Sequence, residues 1–410
     1  MNDRDRAVLS VLAAREAELL ELARELVATP SPNPPGDERA AAEIASQAMR
    51  GLGFRDVTSL GLEDARPNVV GTVGAPTGRT LLLNGHLDTK PAGNLEEWRT
   101  GPWDPVVEDG RLCGLGSTDM KGAVAAMIHA GGALHESGAL TDGRLRLALV
   151  ADEEAGSRFG AAYLAGRPEA AADAVIVCEP TGTTSGWEYI AAASRGISCF
   201  RIVVRGTQMH SSLSDRLPSV NASVELARLL TRLADEWRPS FDPHPAIPGG
   251  PTVNAGVTLS GGVFFGIYPG EAEFGVDVRT VPGMTLERLR SDLGAFLDRL
   301  RADRPDLDAR VEWVPDLEWF PPSWIDPDHS VVRAARTAAT EVLGRDVPVG
   351  IMPAFTDGTH WSLAGIPTVP AFGPGRLPLA HRPNEWLSVQ ELHEAARIYA
   401  LSALRFCAPG

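Results

Sequence analysis

Between residues 6 and 27 the apolar side chains Leu9, Leu12, Ala13, Leu19, Leu20, Leu22, Ala23 and Leu26 recur at three-to-four spacing. That period marks one face of a helix, and it predicts a single amphipathic helix. The stretch Thr29-Pro30-Ser31-Pro32-Asn33-Pro34-Pro35-Gly36 ends it, because proline cannot continue a helix. A second helix is expected over about 38–51. The pattern then changes to short apolar runs at 68–72, 80–84, 144–150 and 174–178, the signature of buried strands. Residues 122–136 are rich in Ala and Met, as a buried helix would be. Before them, Glu97-Trp98 and the stretch from Gly101-Pro102-Trp103 to Asp109-Gly110-Arg111 read as a loop and a short hairpin.

A different alternation begins near 191. It reads strand (196–205), helix (219–237), strand (252–259), strand (272–280), helix (286–301), strand (309–313). That order is the ferredoxin-like, or split βαβ, pattern. Phe320-Pro321-Pro322-Ser323-Trp324 has the composition of a hinge, and beyond it a helix (330–343), a short strand (368–370) and a closing helix (389–404) are expected. The fold class is therefore α/β. A mixed-sheet domain, 1–190 and 319–410, is interrupted by an inserted α+β domain, 191–318. At 410 residues the chain is long enough for two cores.

The residues that stop the strands carry the chemistry. Leu81-Leu82-Leu83-Asn84-Gly85 gives way to His86-Leu87-Asp88. Side chains two apart in an extended segment point the same way, and a metal-bound imidazole usually gives its other nitrogen to a carboxylate. The pair is thus either a ligand with its orienting acid, two ligands, or a surface His beside a turn Asp. Asp119 precedes the 122–136 helix, where a carboxylate can cap the helix or bind a cation. Asp152-Glu153-Glu154 follows one strand and Glu179 another; adjacent acids there are either solvated or differ in task. His381 comes much later, in Leu379-Ala380-His381-Arg382-Pro383-Asn384-Glu385. Ligands of open α/β sheets gather at the carboxyl edge of the strands, and nitrogen and oxygen donors of this kind suit one or two zinc-like ions better than calcium or magnesium.

Together, and in this order, these motifs resemble the M20 metallopeptidases and deacylases. That group includes acetylornithine deacetylase, succinyl-diaminopimelate desuccinylase, aminoacylase and glutamate carboxypeptidase. The resemblance implies a zinc-peptidase-like catalytic domain with an inserted lid and dimerisation domain. It implies two zinc ions, with cobalt or manganese as alternatives, one held by His86, Asp119 and Glu179 and the other by Asp119, Glu154 and His381. Asp119 would bridge, Glu153 would be the general base and Asp88 would orient His86. His210, in Gly206-Thr207-Gln208-Met209-His210, would reach the active site of the partner subunit in a homodimer. Asn254 and Arg279 would bind the substrate carboxylate; for Arg279 an ion pair with Asp277 is the equal alternative. The Pro-rich link after the first helix would skirt the site, or serve simply as a connector. His129, His135, His244, His329, His360 and His393 match no ligand position.

Two departures stand out. Gly266 lies where many relatives carry a substrate-touching Asn, and Leu115 where Arg is common. The neighbours Phe264, Phe265 and Tyr268 are expected in the core of the lid, with an apolar acyl pocket as the other reading. The implied reaction is hydrolysis of a linear amide, and Glu179, rather than Asp, tilts it toward N-acyl amino acids. A dipeptidase or carboxypeptidase, an inactive metal-binding scaffold and a dinuclear phosphoesterase are the competing readings. The phosphoesterase would need more basic groups than the site offers.

Composition narrows the partners. A net charge of −15 argues against nucleic acid or an anionic membrane. No apolar run approaches about 18 residues, so no membrane span is expected. The start, Met1-Asn2-Asp3-Arg4-Asp5-Arg6, lacks the apolar core of a signal peptide. Cys113, Cys178, Cys199 and Cys407 lack metal-knuckle spacing and read as reduced thiols of a cytoplasmic protein.

Overall fold

The computed structural model describes residues 1–243, 249–315 and 317–407. The chain forms two compact units, Met1–Ser194 with Ser323–Met352 and Thr356–Gly410, and Arg195–Pro322 with Pro353–Phe355.

The first unit is built on a sheet whose strands are β1 (Arg55–Leu60), β2 (Asn68–Gly74), β3 (Thr80–His86), β4 (Arg144–Val150) and β5 (Ala174–Val177). Their order is β1-β2-β4-β3-β5, with a Thr368–Val369 strand at the far edge. β4, β3, β5 and that edge strand are parallel; β2 runs antiparallel to β4, and β1 antiparallel to β2. The period of two sorts the side chains. Val69, Leu81, Leu83, Leu145, Leu147, Leu149 and Ile176 face one core, and Val70, Leu82, Ala148, Val150, Val175 and Val177 face another. The larger core holds the long helices, and the smaller one Ala161, Leu164 and Trp361 of two short helices. The Gly122–Ser137 helix is buried from Gly122 through Leu134 and packs beside the Val389–Cys407 helix. Because both faces of the sheet are covered, its strands read as continuous apolar runs.

Two local features differ from the periodicity. The single helix expected at 6–27 is two, Asp3–Ala14 and Glu16–Ala28, broken at Arg15 (φ −112°, ψ 16°). Arg15 reaches Glu18 and Glu136, each at 2.6 Å. Both helices pack against the Gly122–Ser137 helix, so a common apolar stripe conceals the break. The Val106–Glu108 and Arg111–Cys113 strands form the expected hairpin, with Asp109 and Gly110 at φ 49° and 71°, as a primed turn requires.

The second unit is a four-stranded antiparallel sheet of β6 (Gly196–Arg205), β7 (Thr252–Gly261), β8 (Glu271–Thr280) and β9 (Asp308–Trp313). Its order, β7-β8-β6-β9, with helices Ala222–Glu236 and Leu286–Asp303 as crossovers, is the ferredoxin-like arrangement read from the sequence. Leu226, Leu229 and Leu233 of one helix and Leu289, Leu293, Phe296 and Leu300 of the other are buried with Phe200, Ile202 and Phe274 of the sheet.

The expectation that Phe264 and Phe265 are lid core is overturned. They are 75% and 94% exposed. They lie beyond the end of the edge strand β7, in a loop flanked by Gly262 and Gly266 at φ 70° and 85°. Val257, Leu259 and Val263 on and beside the same edge are also exposed. All four cysteines are free thiols. No helix among the described residues is long and apolar enough to cross a membrane.

Candidate metal centre

The parallel strands β4, β3 and β5 end side by side, with His86 opposite Val150 and Asn84 opposite Val177. Every acid read from a strand end is therefore delivered to one edge. His86 closes β3. Glu153 and Glu154 form a short turn three residues past β4, and Glu179 follows β5 by two residues. Asp119 comes from the tight Ser117–Lys121 turn, with φ −127° and ψ 91°. It does not cap the following helix, whose cap position is Lys121 without a side-chain cap bond. His381 sits at φ 60°, in the left-handed region that few side chains adopt.

The carboxylate and imidazole atoms of His86, Asp119 and Glu179 lie within 4.8 Å of one another, as do those of Asp119, Glu154 and His381. His86 Nε2 is 3.0 Å from Asp119 Oδ1 and 3.4 Å from Glu179 Oε1. His381 Nε2 is 3.0 Å from Glu154 Oε1 and 3.2 Å from Asp119 Oδ2. Asp119 thus turns one oxygen to each imidazole.

The donor chemistry decides what fits here. His86 Nδ1 lies 3.0 Å from the backbone carbonyl oxygen of Asp88, which can only accept. Nδ1 therefore carries the proton, and in the neutral ring Nε2 presents a lone pair. That lone pair faces two carboxylate oxygens, an arrangement that demands a positive charge between them. Glu179 Oε1 is buried and accepts no hydrogen bond among the described residues. A divalent cation in each group would satisfy these atoms, and all five donors are of the oxygen and nitrogen type that zinc-like ions take.

Burial and the mutual charges of these side chains shift their ionisation strongly. Burial opposes the charged His86 ring, but bonds to Asp119 and Asp88 more than offset it and lift its pKa well above the imidazole range. For His381, burial is likewise outweighed by Asp119 and Glu154, and its pKa rises to about 11. Burial raises Glu153 and Glu179 well above the carboxylate range, and the charge of Glu179 adds to the effect on Glu153. Two neighbouring acids of like charge can be kept in different protonation states this way.

Around these groups lies a layer that strand-end reasoning does not find. The Asp88 carboxylate, 3.5 Å from His86 Nδ1, accepts the N–H groups of Glu153 (3.2 Å) and Glu154 (3.1 Å). The ring is held more closely by the Asp88 carbonyl than by its carboxylate. Glu385, with its pKa pushed up to about 8 by burial and Asp119, accepts the N–H groups of Thr118 and Asp119. Asp357 is buried and accepts from Ser157 Oγ at 2.6 Å; burial lifts its pKa to about 7. Lys90 and Lys121 are the only lysines in the chain. Lys121 Nζ donates to the Thr29 carbonyl at 2.6 Å, fully buried, and Lys90 Nζ lies 3.3 Å from Glu154 Oε2.

Three further candidates lie in the second unit. His210 is exposed on the Met209–His210 strand, where its Nδ1 accepts from the Ser212 N–H. Asn254 on β7 stands opposite Asp277 on β8. Arg279 is paired with Asp277 at 2.9 Å, the ion pair that the sequence left as its alternative role. Among the described histidines, His129, His135, His329, His360 and His393 belong to neither ligand group; His244 lies outside the described residues.

A family model described as Peptidase family M20/M25/M40 matches residues 82–405. The succinyl-diaminopimelate desuccinylase of Alkalilimnicola ehrlichii is 29% identical over 93% of this chain and 97% of its own. The N-formyl-4-amino-5-aminomethyl-2-methylpyrimidine deformylase of Bacillus subtilis is 28% identical, covering 95% of each. In fold the chain is similar to the dipeptidase Dug1p of Saccharomyces cerevisiae, with a TM-score of 0.78, 18% identity and 98% of each chain covered.

Proposed function

The chain belongs to peptidase family M20/M25/M40, a family of amide-bond hydrolases, and on that premise we propose that it removes the acyl group from an N-acyl amino acid. The observation that carries this reading is the pair of three-residue groups sharing Asp119, with the Glu153 carboxyl on the same turn as Glu154. Relatives named desuccinylase and deformylase support an acyl substrate, as does Glu at position 179.

His86, Asp119 and Glu179 would hold one divalent ion, and Asp119, Glu154 and His381 a second; zinc is the first choice, cobalt or manganese the alternatives. Bound there, the ions supply Lewis acidity to the amide carbonyl and acidify water toward a pKa of about 7. The protein's own groups do the rest. Glu153 takes the proton from the attacking water and returns one to the leaving amine. Asp88 fixes the turn that carries Glu153 and Glu154, and its carbonyl fixes the His86 ring. His210, from the partner subunit, stabilises the developing oxyanion, and Asn254 and Arg279 hold the substrate carboxylate. The exposed apolar edge of β7 supports a homodimer formed through the lid, and four free thiols support a cytoplasmic setting.

A panel of formyl, acetyl, succinyl and aromatic N-acyl amino acids, run beside dipeptides and a phosphate ester with zinc or cobalt present, tests the reading. The expected result is turnover of at least one acyl amino acid that Glu153→Ala abolishes. Turnover of dipeptides alone would make the protein a peptidase. Turnover of none, with metal bound, would leave a scaffold.

A further inference from the structure

The turn that carries Glu153 and Glu154 is held by residues from far upstream. The segment 31–33 runs along 87–89: Ser31 Oγ donates to the Leu87 carbonyl at 2.7 Å, the Asn33 N–H to the Thr89 carbonyl at 2.8 Å, and the Thr89 N–H to the Ser31 carbonyl at 3.0 Å. This places the Asn33 amide, 2% exposed, between two carboxylates. Its Nδ2 donates to Asp88 Oδ2 at 2.8 Å and to Asp152 Oδ1 at 3.1 Å. An amide NH2 has two hydrogens, one for each acid; a carboxylate or an aliphatic side chain in its place has none.

Asp152 is then bound a second time. Arg66 Nη2 donates to its Oδ1 at 2.7 Å, while Arg66 Nε lies 2.9 Å from Glu38 Oε2, with both residues buried. The other Asp152 oxygen accepts the Phe159 N–H at 3.1 Å. Asp152 itself sits at φ 68°, a conformation that a non-glycine residue adopts at a cost. Gly36, at φ 82°, makes room for the guanidinium: a Cβ there would come within 1.9 Å of Arg66 Nη1. Asp88 therefore holds the Glu153–Glu154 turn through its N–H groups, Asp152 anchors the start of that turn to the Phe159 N–H beyond it, and one amide and one guanidinium fix these two acids.

We propose that Asn33 and Arg66 are positioning residues for Glu153, acting through Asp88 and Asp152 to hold the turn in the geometry that proton transfer needs. The inference rests on the reading of Glu153 as proton carrier. A displacement of about 1 Å in such a group costs on the order of 100-fold in rate. The Glu154 carboxylate, on the same turn, has a second hold, because its Oε1 accepts the Lys90 N–H at 3.2 Å and lies 3.0 Å from His381 Nε2, so two ions are still expected to bind.

The test uses full-length, zinc-loaded protein and its best substrate from the panel. Asn33→Ala and Arg66→Lys are compared with wild type in kcat, KM, zinc binding by calorimetry and amide exchange across 152–159. In both variants kcat is expected to fall by about 30-fold or more, KM to stay within about threefold, and two zinc ions to bind. Exchange across the turn should accelerate. Lysine keeps the charge at 66 but cannot span Glu38 and Asp152 together, so it should not rescue. Should Arg66→Lys fail to fold, Asn33→Ala and the near-isosteric Asn33→Asp carry the test. Active wild type with variants of unaltered kcat and exchange overturns the inference alone. A wild type inert toward every amide overturns the underlying reading and the inference with it.

Discussion

Asp119 and Glu153 sit in the same site but are asked for different things, and substitution separates them. Asp119 turns one oxygen toward each imidazole, so on the proposed reading, in which it would serve both ions, Asp119→Asn should weaken both sites at once. Metal content after gel filtration should drop below two ions per chain, and turnover should fall with it. Glu153→Ala removes no ligand; it should keep two ions and lose about 10²- to 10⁴-fold in kcat, the range for a missing proton carrier. If Glu153→Ala loses metal, or Asp119→Asn keeps full turnover, the assignment of ligand and base is wrong. Three residues of the two groups were legible because each stands where an apolar element begins or ends: His86 after Leu81-Leu82-Leu83, Glu179 after a buried strand, Asp119 before an Ala-rich helix. Asn33, Arg66 and Asp357 were not. Each lies in a segment without period, and only the fold brings its polar atoms to the site, as when Asn33 meets Asp152 across 119 positions of sequence.

At the scale of elements, the site depends on how closely β3 lies on the Gly122–Ser137 helix. A Cβ at Gly85 would stand 2.9 Å from Met120 Cε, 3.2 Å from Met127 Sδ and 3.3 Å from Val124 Cγ2. Two of these are ends of flexible side chains, so Gly85→Ala should fold but cost about 1–2 kcal/mol, measured as a lowered urea midpoint. The same helix carries His129, 4% exposed, whose pKa burial lowers to about 4. The unfolded imidazole takes up its proton below about 6.5, while the folded one does so only near 4. His129 thus favours folding above pH 6.5, and that contribution is lost as the pH falls toward 4. Between pH 7.5 and 5 the loss is on the order of 2 kcal/mol, and His129→Leu should flatten the stability profile by that amount. An unchanged profile would place the acid sensitivity elsewhere. The elements themselves were read well where burial is one-sided or complete. They were missed where the signal is short: the Gly358–Leu363 helix that follows Asp357, the Trp386–Ser388 strand, and the break at Arg15, which leaves the apolar stripe intact.

For the whole molecule the open question is what covers the edge of β7. An unpaired edge flanked by Val257, Leu259, Phe264 and Phe265, all exposed, is a template for pairing with another strand. A second copy offers the same edge, and two-fold pairing would count each side chain twice. Burying one Phe contributes roughly 1.5–3 kcal/mol, so Phe265→Glu removes two such contributions per dimer, about 3–6 kcal/mol. That is roughly a 10²- to 10⁴-fold weaker association. Sedimentation should show wild type as a dimer and Phe265→Glu shifted toward monomer, with folding intact because the residue touches no core. A wild type that sediments as a monomer ends the dimer reading. The proposed role of His210 in the partner's active site carries a functional consequence. Asp119→Asn and His210→Ala proteins, each impaired alone, should recover activity when mixed and allowed to exchange subunits, because one site of the mixed dimer then holds an intact Asp119 and an intact His210. Mixtures that stay inactive although exchange is complete would mean that His210 serves no site but its own chain's.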